Sequence, residues 1–295
     1  MDINKVSPRD YLNTKHLLSL SSTESDDIYT LVKKSKEIKL RRKAGEKFSS
    51  LSGKNIVSLA KKSYVTNRLA FEMAVQSLGG NAYSVSLTGA EIEEILKDVD
   101  TFRSLPMLGV SAVVVNTAIT EDAELIKSIT SVPIINTIAC NHLAALLTTW
   151  EKKNKLSDLK IAIVGKYGKM QNSLVSGAVK CGMTVNIVST TCRPDEEFLE
   201  TCKLYGDVYH YNNLKEGIHG ADVVYVLKDS DGMCIDKDNI CYAAEDATVI
   251  ASNPVARDIS VSSEILDGEH AAVAEQTENL LYVEQTVLSM LLKNK

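Results

Sequence analysis

Short apolar runs of strand length alternate with longer segments of helical period from one end of this chain to the other. Lys54-Asn55-Ile56-Val57-Ser58-Leu59, residues 82–85, Ala112-Val113-Val114-Val115-Asn116 and Val132-Pro133-Ile134-Ile135-Asn136 read as strands. Between them lie segments expected to be helical: one starting at the capping run Ser22 to Asp27, one over 66–78 stopped by Gly79-Gly80, one over 91–101, a short one before Val132, and one over 142–153. The second half repeats the rhythm, with strands over 160–165, 184–188, 208–211, 221–226 and 248–251, and helices over 194–204, 214–219 and 275–292. The third strand is apolar throughout, as a strand buried on both faces of a parallel sheet must be. Such alternation predicts two doubly wound parallel-sheet α/β domains, with ligands held at the carboxyl ends of the strands. At 295 residues each half is long enough for its own core. The charged stretch Glu151-Lys152-Lys153-Asn154-Lys155 marks the expected boundary: 1–150, 151–274, and a helix over 275–295 packing back on the first domain.

A net charge of −5 argues against nucleic acid or an anionic membrane as partner, since both select basic faces. No apolar run is long enough to span a bilayer, and residues 1–11 lack an apolar signal core. The six cysteines are scattered, with no Cys-x-x-Cys pair and no histidine at zinc-ligand spacing, so they read as reduced thiols of a cytoplasmic protein without a metal. Gly165-Lys166-Tyr167-Gly168-Lys169 follows a strand but lacks G-x-G-x-x-G spacing, and the next strand ends in Ser189-Thr190-Thr191 rather than an acid. No dinucleotide cofactor is expected, nor any other. His142, His210, His219 and His270 read as packing or surface residues.

Several segments, in collinear order, carry a resemblance. They are Leu18-Ser19-Leu20-Ser21-Ser22-Thr23, Ser52-Gly53-Lys54, Phe71-Glu72-Met73-Ala74, Leu78-Gly79-Gly80-Asn81-Ala82, the strand ending at Asn136, Leu159 to Gly168, and Glu278-Asn279-Leu280-Leu281-Tyr282-Val283. Together they resemble the aspartate/ornithine carbamoyltransferases over nearly the whole chain. Lys166-Tyr167-Gly168 and the Asn279 to Val283 run look closer to the aspartate enzymes, which implies a link to pyrimidine biosynthesis. The resemblance implies the two-domain fold and a trimer that shares sites between subunits.

It also implies where chemistry should sit, and there the chain departs. The family's Ser-Thr-Arg-Thr-Arg phosphate loop gathers backbone N–H groups, hydroxyls and a guanidinium around a dianion. Its positions fall on Tyr64, Val65, Thr66, Asn67 and Arg68, so only the last arginine remains, and the resemblance implies that this one contributes more to architecture than to phosphate contact. The stretch that normally lends a lysine and a serine to the neighbouring subunit is Glu94-Ile95-Leu96-Lys97, and the arginine expected after the third strand is Asn116. The His-Pro-x-Gln segment, whose histidine polarises the carbamoyl carbonyl, becomes Ile138, Ala139, Cys140 and Asn141, with His142 one helical turn too late. Arg-x-x-His-Ser becomes Lys169 to Ser173, Arg-x-Gln becomes Lys228, Asp229 and Ser230, and of His-Pro-Leu-Pro-Arg only Pro254 survives in 251–255. Lysine keeps the charge of arginine but not its bidentate fork. Losing three or four charge-assisted contacts of roughly 1.5–3 kcal/mol each is expected to weaken carbamoyl phosphate binding about a thousandfold or more.

No catalytic residue is therefore assigned. Thr66, Asn67, Arg68, Asn116, Asn141, Lys169, Lys228 and Pro254 are the candidate residues of a degenerate ligand cleft. Three readings stay open: an inactive paralogue with a structural or regulatory role in a homotrimer or a mixed oligomer with an active carbamoyltransferase chain; a repurposed binder or enzyme for a small anion; and a residual carbamoyltransferase for aspartate or a related amino acid.

Overall fold

The structure is a computed structural model that describes residues 2–61, 65–116, 130–251 and 253–293, with the backbone alone at Lys61. Along the chain the elements are α1 (Ser25–Lys43), β1 (Asn55–Lys61), α2 (Val65–Ser77), β2 (Asn81–Leu87), α3 (Gly89–Ile95), α4 (Val99–Ser104), β3 (Val110–Val115), β4 (Ile134–Asn136) and α5 (Thr137–Lys153). They continue as β5 (Lys160–Val164), α6 (Asn172–Lys180), β6 (Thr184–Val188), α7 (Glu196–Lys203), β7 (Val208–Tyr211), α8 (Leu214–Ile218), β8 (Val223–Val226), α9 (Lys237–Ile240), β9 (Thr248–Ala251), α10 (Ser263–Leu266) and α11 (Val273–Leu292).

The chain divides into two compact units at Val6/Ser7, Ala144/Ala145 and Thr277/Glu278, so two of the three crossings fall inside helices, in α5 and α11. The first unit, from Ser7 to Ala144 and from Glu278 onward, holds a four-stranded sheet of order β2-β1-β3-β4. The second holds a five-stranded sheet of order β7-β6-β5-β8-β9. Every pairing in both is parallel, which bears out the expected pair of doubly wound α/β sheets.

The pattern of each element explains its place. Ala112 to Val115 on β3 are fully buried, between β1 and β4, which is why that strand carries no polar face. Each such valine is worth roughly 1.5–3 kcal/mol relative to an exposed one. In the first unit Leu59, Ile92, Phe102, Val113, Val115 and Ile134 pack together; in the second Ala162, Val164, Val188, Val224, Val226 and Val249 form the centre. Gly79, at φ +81°, ends α2 with a left-handed residue, and the N–H of Gly80 bonds back to the carbonyl of Val75.

One expected element is corrected. The single helix over 91–101 is two, α3 and α4, because Asp98 takes an extended conformation and accepts from the N–H groups of Asp100 and Thr101, restarting the helix. Thr88 opens α3 with a capping box to Glu91. The short helix expected before Val132 lies largely outside the described residues. The short helices α9 and α10 carry no apolar periodicity long enough to announce them.

Candidate functional site

In the first unit the candidate residues fall into two groups. Thr66, Asn67 and Arg68 occupy the first turn of α2, with Thr66 exposed, Asn67 buried and Arg68 half-buried. Arg68 donates from Nε to Glu72 Oε1 at 2.8 Å and from Nη1 to Ser86 Oγ at 3.0 Å, while Ser84 Oγ donates to the same Glu72 oxygen at 2.6 Å. Ser84 and Ser86 stand on β2, an edge strand, so the guanidinium ties helix to sheet. The hydrogen bond from Arg68, then that from Ser84, holds the Glu72 carboxyl below its ordinary range. Tyr64, which opens the comparison with the family's phosphate loop, lies outside the described residues.

The second group meets at Thr137, the first residue of α5. Asn116, buried just beyond β3, donates from Nδ2 to Thr137 Oγ1 at 2.6 Å, and Asn141 donates from Nδ2 to the Thr137 carbonyl at 2.9 Å. Among the described residues no hydrogen bond joins this pair to Arg68. Cys140 is completely buried, and burial, followed by the nearness of Glu284, pushes its thiol well above the ordinary range. His142 is 5% exposed, its Nδ1 meets no partner among the described residues, and burial lowers its pKa to about 3. It is therefore a neutral packing residue near pH 7, as its place one turn past the family's histidine position suggests.

In the second unit Lys169 sits in a short 3-10 turn after β5, and Lys228 follows β8; both are exposed. β5 and β8 are neighbours, and β6 lies on the other side of β5, so these loops border the point where the winding reverses. There Gly165 has φ +130°, and a Cβ on it would stand 2.4 Å from the carbonyl oxygen of Asp229. That approach lets the N–H of Lys166 donate to the same oxygen at 2.8 Å. Pro254 is exposed and follows a cis peptide after Asn253, whose Nδ2 donates to Thr277 Oγ1 at 2.6 Å.

A cluster that the motif reading missed lies at the same edge of this sheet. Asp231 accepts hydrogen bonds from Ser189, Thr190 and Thr191, the residues directly after β6. Three hydroxyl residues ending a buried strand are the signal that pointed there. Among the described residues no three His, Cys, Asp or Glu side chains gather to hold a metal ion, and no helix is long and apolar enough to cross a membrane.

The carbamoyl-phosphate-binding domain model of the aspartate/ornithine carbamoyltransferases matches residues 15–148, and the Asp/Orn-binding domain model matches 157–291. The chain belongs to the aspartate/ornithine carbamoyltransferase family. An ornithine carbamoyltransferase of Methanosarcina mazei is 25% identical over 95% of this chain and 99% of its own length. Among solved structures of the family, the ornithine carbamoyltransferase of Pyrococcus furiosus matches with a TM-score of 0.86 at 24% identity, over 95% of this chain and 97% of that one. An aspartate transcarbamoylase of Trypanosoma cruzi, solved with carbamoyl aspartate and phosphate, matches with a TM-score of 0.79 at 20% identity, over 97% and 99%. Carbamoyltransferases of both acceptor classes share this fold, so the structural likeness shows the fold, the two domain models show the family, and the aspartate leaning of Lys166-Tyr167-Gly168 has no separate support.

Proposed function

We propose that this chain is a carbamoyltransferase-family subunit that does not transfer carbamoyl groups and acts in the cytoplasm through assembly with further copies of itself. The observation that carries this reading is Arg68. It is the one cation left at the positions that match the family's phosphate loop, and its guanidinium is already committed to Glu72 and Ser86. A dianion recruited there has to compete with a carboxylate on the next turn of the same helix. At the positions of the carbamoyl-polarising segment, Cys140 is a buried thiol, and the nearby His142 is buried and neutral.

Assembly draws support from the adjoining face of the same helix. Val65, Leu69 and Met73 repeat every four residues along α2 and are 61%, 54% and 55% exposed, and the edge strand β2 shows Tyr83 and Val85 to solvent. An apolar helical stripe beside a sheet edge that has no further strand among the described residues is the kind of surface that a further subunit covers. A homotrimer is the assembly we expect; a mixed oligomer with an active chain is the variant of the same idea.

A second reading has its own observation. Lys169 and Lys228 stand on the loops of adjacent strands, which favours a small anion at the carboxyl edge of the second sheet.

The test combines three measurements. Phosphate release from carbamoyl phosphate with aspartate, ornithine and related amines is expected to equal that of an Arg68→Ala, Lys169→Ala control; turnover above it, or stoichiometric capture of carbamoyl phosphate, overturns the silent-subunit reading. Mass in solution is expected to exceed one chain and to fall on Leu69→Asp; a monomer that also ignores an active aspartate or ornithine carbamoyltransferase chain removes the assembly. A thermal-shift panel of small anions decides the second reading: without a rise in Tm it fails.

A further inference from the structure

Asp231 sits at an unusual backbone angle for a residue with a side chain, φ +58°, with Gly232 after it at φ +77°. Its carboxylate accepts five hydrogen bonds. Oδ2 takes Ser189 Oγ at 3.0 Å, Thr190 N at 2.6 Å, Thr190 Oγ1 at 2.8 Å and Thr191 N at 3.0 Å; Oδ1 takes Thr191 Oγ1 at 2.8 Å. Burial pushes this carboxyl up, but the bonds from Thr191, Thr190 and Ser189 outweigh it and leave the group well below the ordinary carboxylate range. Consecutive backbone N–H groups flanked by hydroxyls are a general receptor for an oxyanion.

The receptor is held ready by its own second layer. Ser189 is buried, and its hydroxyl accepts from the N–H of Tyr167 at 3.4 Å and of Cys192 at 3.3 Å while donating to Asp231. Two donors into that oxygen orient its single proton toward the carboxylate. The cradle follows β6 directly, and Asp231 belongs to the segment that follows β8, two strands away across β5. The carboxylate is therefore a bond between two loops on the edge of the sheet where doubly wound folds bind ligands. Within its own segment Asp231 is positioned by its N–H, which donates to Asp229 Oδ1 at 3.2 Å.

We propose that Ser189, Thr190 and Thr191 form a carboxylate receptor that the chain fills with its own Asp231, a tethered ligand that latches the segment after β8 across the end of β6. A free carboxylate occupies the receptor only when Asp231 leaves it. The assignment stands whether or not the chain transfers carbamoyl groups, because none of its residues is among those compared with the family's motifs.

The test removes the tether and offers a free ligand. Asp231→Gly is the suitable variant, since glycine takes φ +58° without strain and the fold is kept. In the full-length protein its Tm is expected to fall by several degrees in sodium chloride. Sodium formate or acetate at equal ionic strength should restore at least half of that loss, saturably, while the parent protein responds no more to formate than to chloride. Adding Thr191→Val to Asp231→Gly should abolish the rescue. Equal behaviour in formate and chloride overturns the receptor, and so does a rescue that survives Thr191→Val. A second measurement does not depend on rescue: trypsin cleavage after the exposed Lys228 should rise several-fold in Asp231→Asn, which keeps the shape but not the charge, and an unchanged rate overturns the latch.

Discussion

Arg68 and Glu72, one helical turn apart on α2, share a hydrogen bond of 2.8 Å that turns the arginine toward its own helix and the neighbouring edge strand. The resemblance implies a role for this arginine in architecture more than in phosphate contact, and here the guanidinium ties helix to sheet. Because both groups keep partial exposure, the pair is worth little. A double-mutant cycle with Arg68→Ala and Glu72→Ala, read by urea unfolding, should give a coupling of about 0.5 kcal/mol that shrinks in high salt. A coupling of zero at low salt would show that the contact is not formed in solution.

Asn116 presents the opposite case, a buried polar side chain that donates to Thr137. Asn116→Ala leaves Thr137 Oγ1 without its donor at the start of α5 and should cost about 1–3 kcal/mol in urea unfolding. Asn116→Leu in a Thr137→Val background removes both needs at once and should cost less than the single alanine change. Equal losses would mean that the hydrogen bond has no specific part in the stability.

His142 and Glu284 make opposite contributions to pH dependence. Burial depresses His142 to about 3, so its neutral form is the folded one; that stability is complete above the unfolded value of 6.5 and is lost as pH falls, at up to about 1.4 kcal/mol per pH unit. Glu284 is fully buried, both its oxygens lack a partner among the described residues, and burial raises its carboxyl well above 4.5. Its contribution is complete below 4.5 and is lost as pH rises toward the folded value. Glu284→Gln should therefore stabilise the protein at pH 8 more than at pH 5, and His142→Phe should flatten the acid side of the curve. Stability profiles that superimpose on the parent would contradict both assignments.

Gly165 is the backbone position least able to change. A side chain there meets the Asp229 carbonyl at 2.4 Å and demands φ +130°. Gly165→Ala should cost about 1–3 kcal/mol or more, and should speed proteolysis of the segment after β8. A neutral substitution would mean that the two loops separate freely.

How much of this was legible beforehand depended on range. The strands and their parallel pairing were, because apolar runs such as Ala112 to Val115 have one solution, burial on both faces. The break between α3 and α4 was not, since Asp98 reads equally well as an exposed helical residue until its side chain is seen to cap. The Arg68–Glu72 pair follows from i,i+4 spacing alone. Asn116 with Thr137 does not, because β3 and β4 must first be placed side by side. Asp231 was the least accessible: its partners lie some forty residues earlier and reach it only through the order β6-β5-β8. Lys169 and Lys228 lie after β5 and β8, which are adjacent strands, and charge spacing carried no information about the Asp231 carboxylate in the same segment as Lys228.

Two of the three places where the chain passes between its compact units lie within α5 and α11 rather than in loops. Each half of the protein is therefore built from stretches that are far apart in the gene. A chimera with a relative that joins at Ala144 alone would inherit a first unit whose closing helix comes from the other parent. An exchange that keeps both units whole therefore needs matched joints at Ala144 and at Thr277.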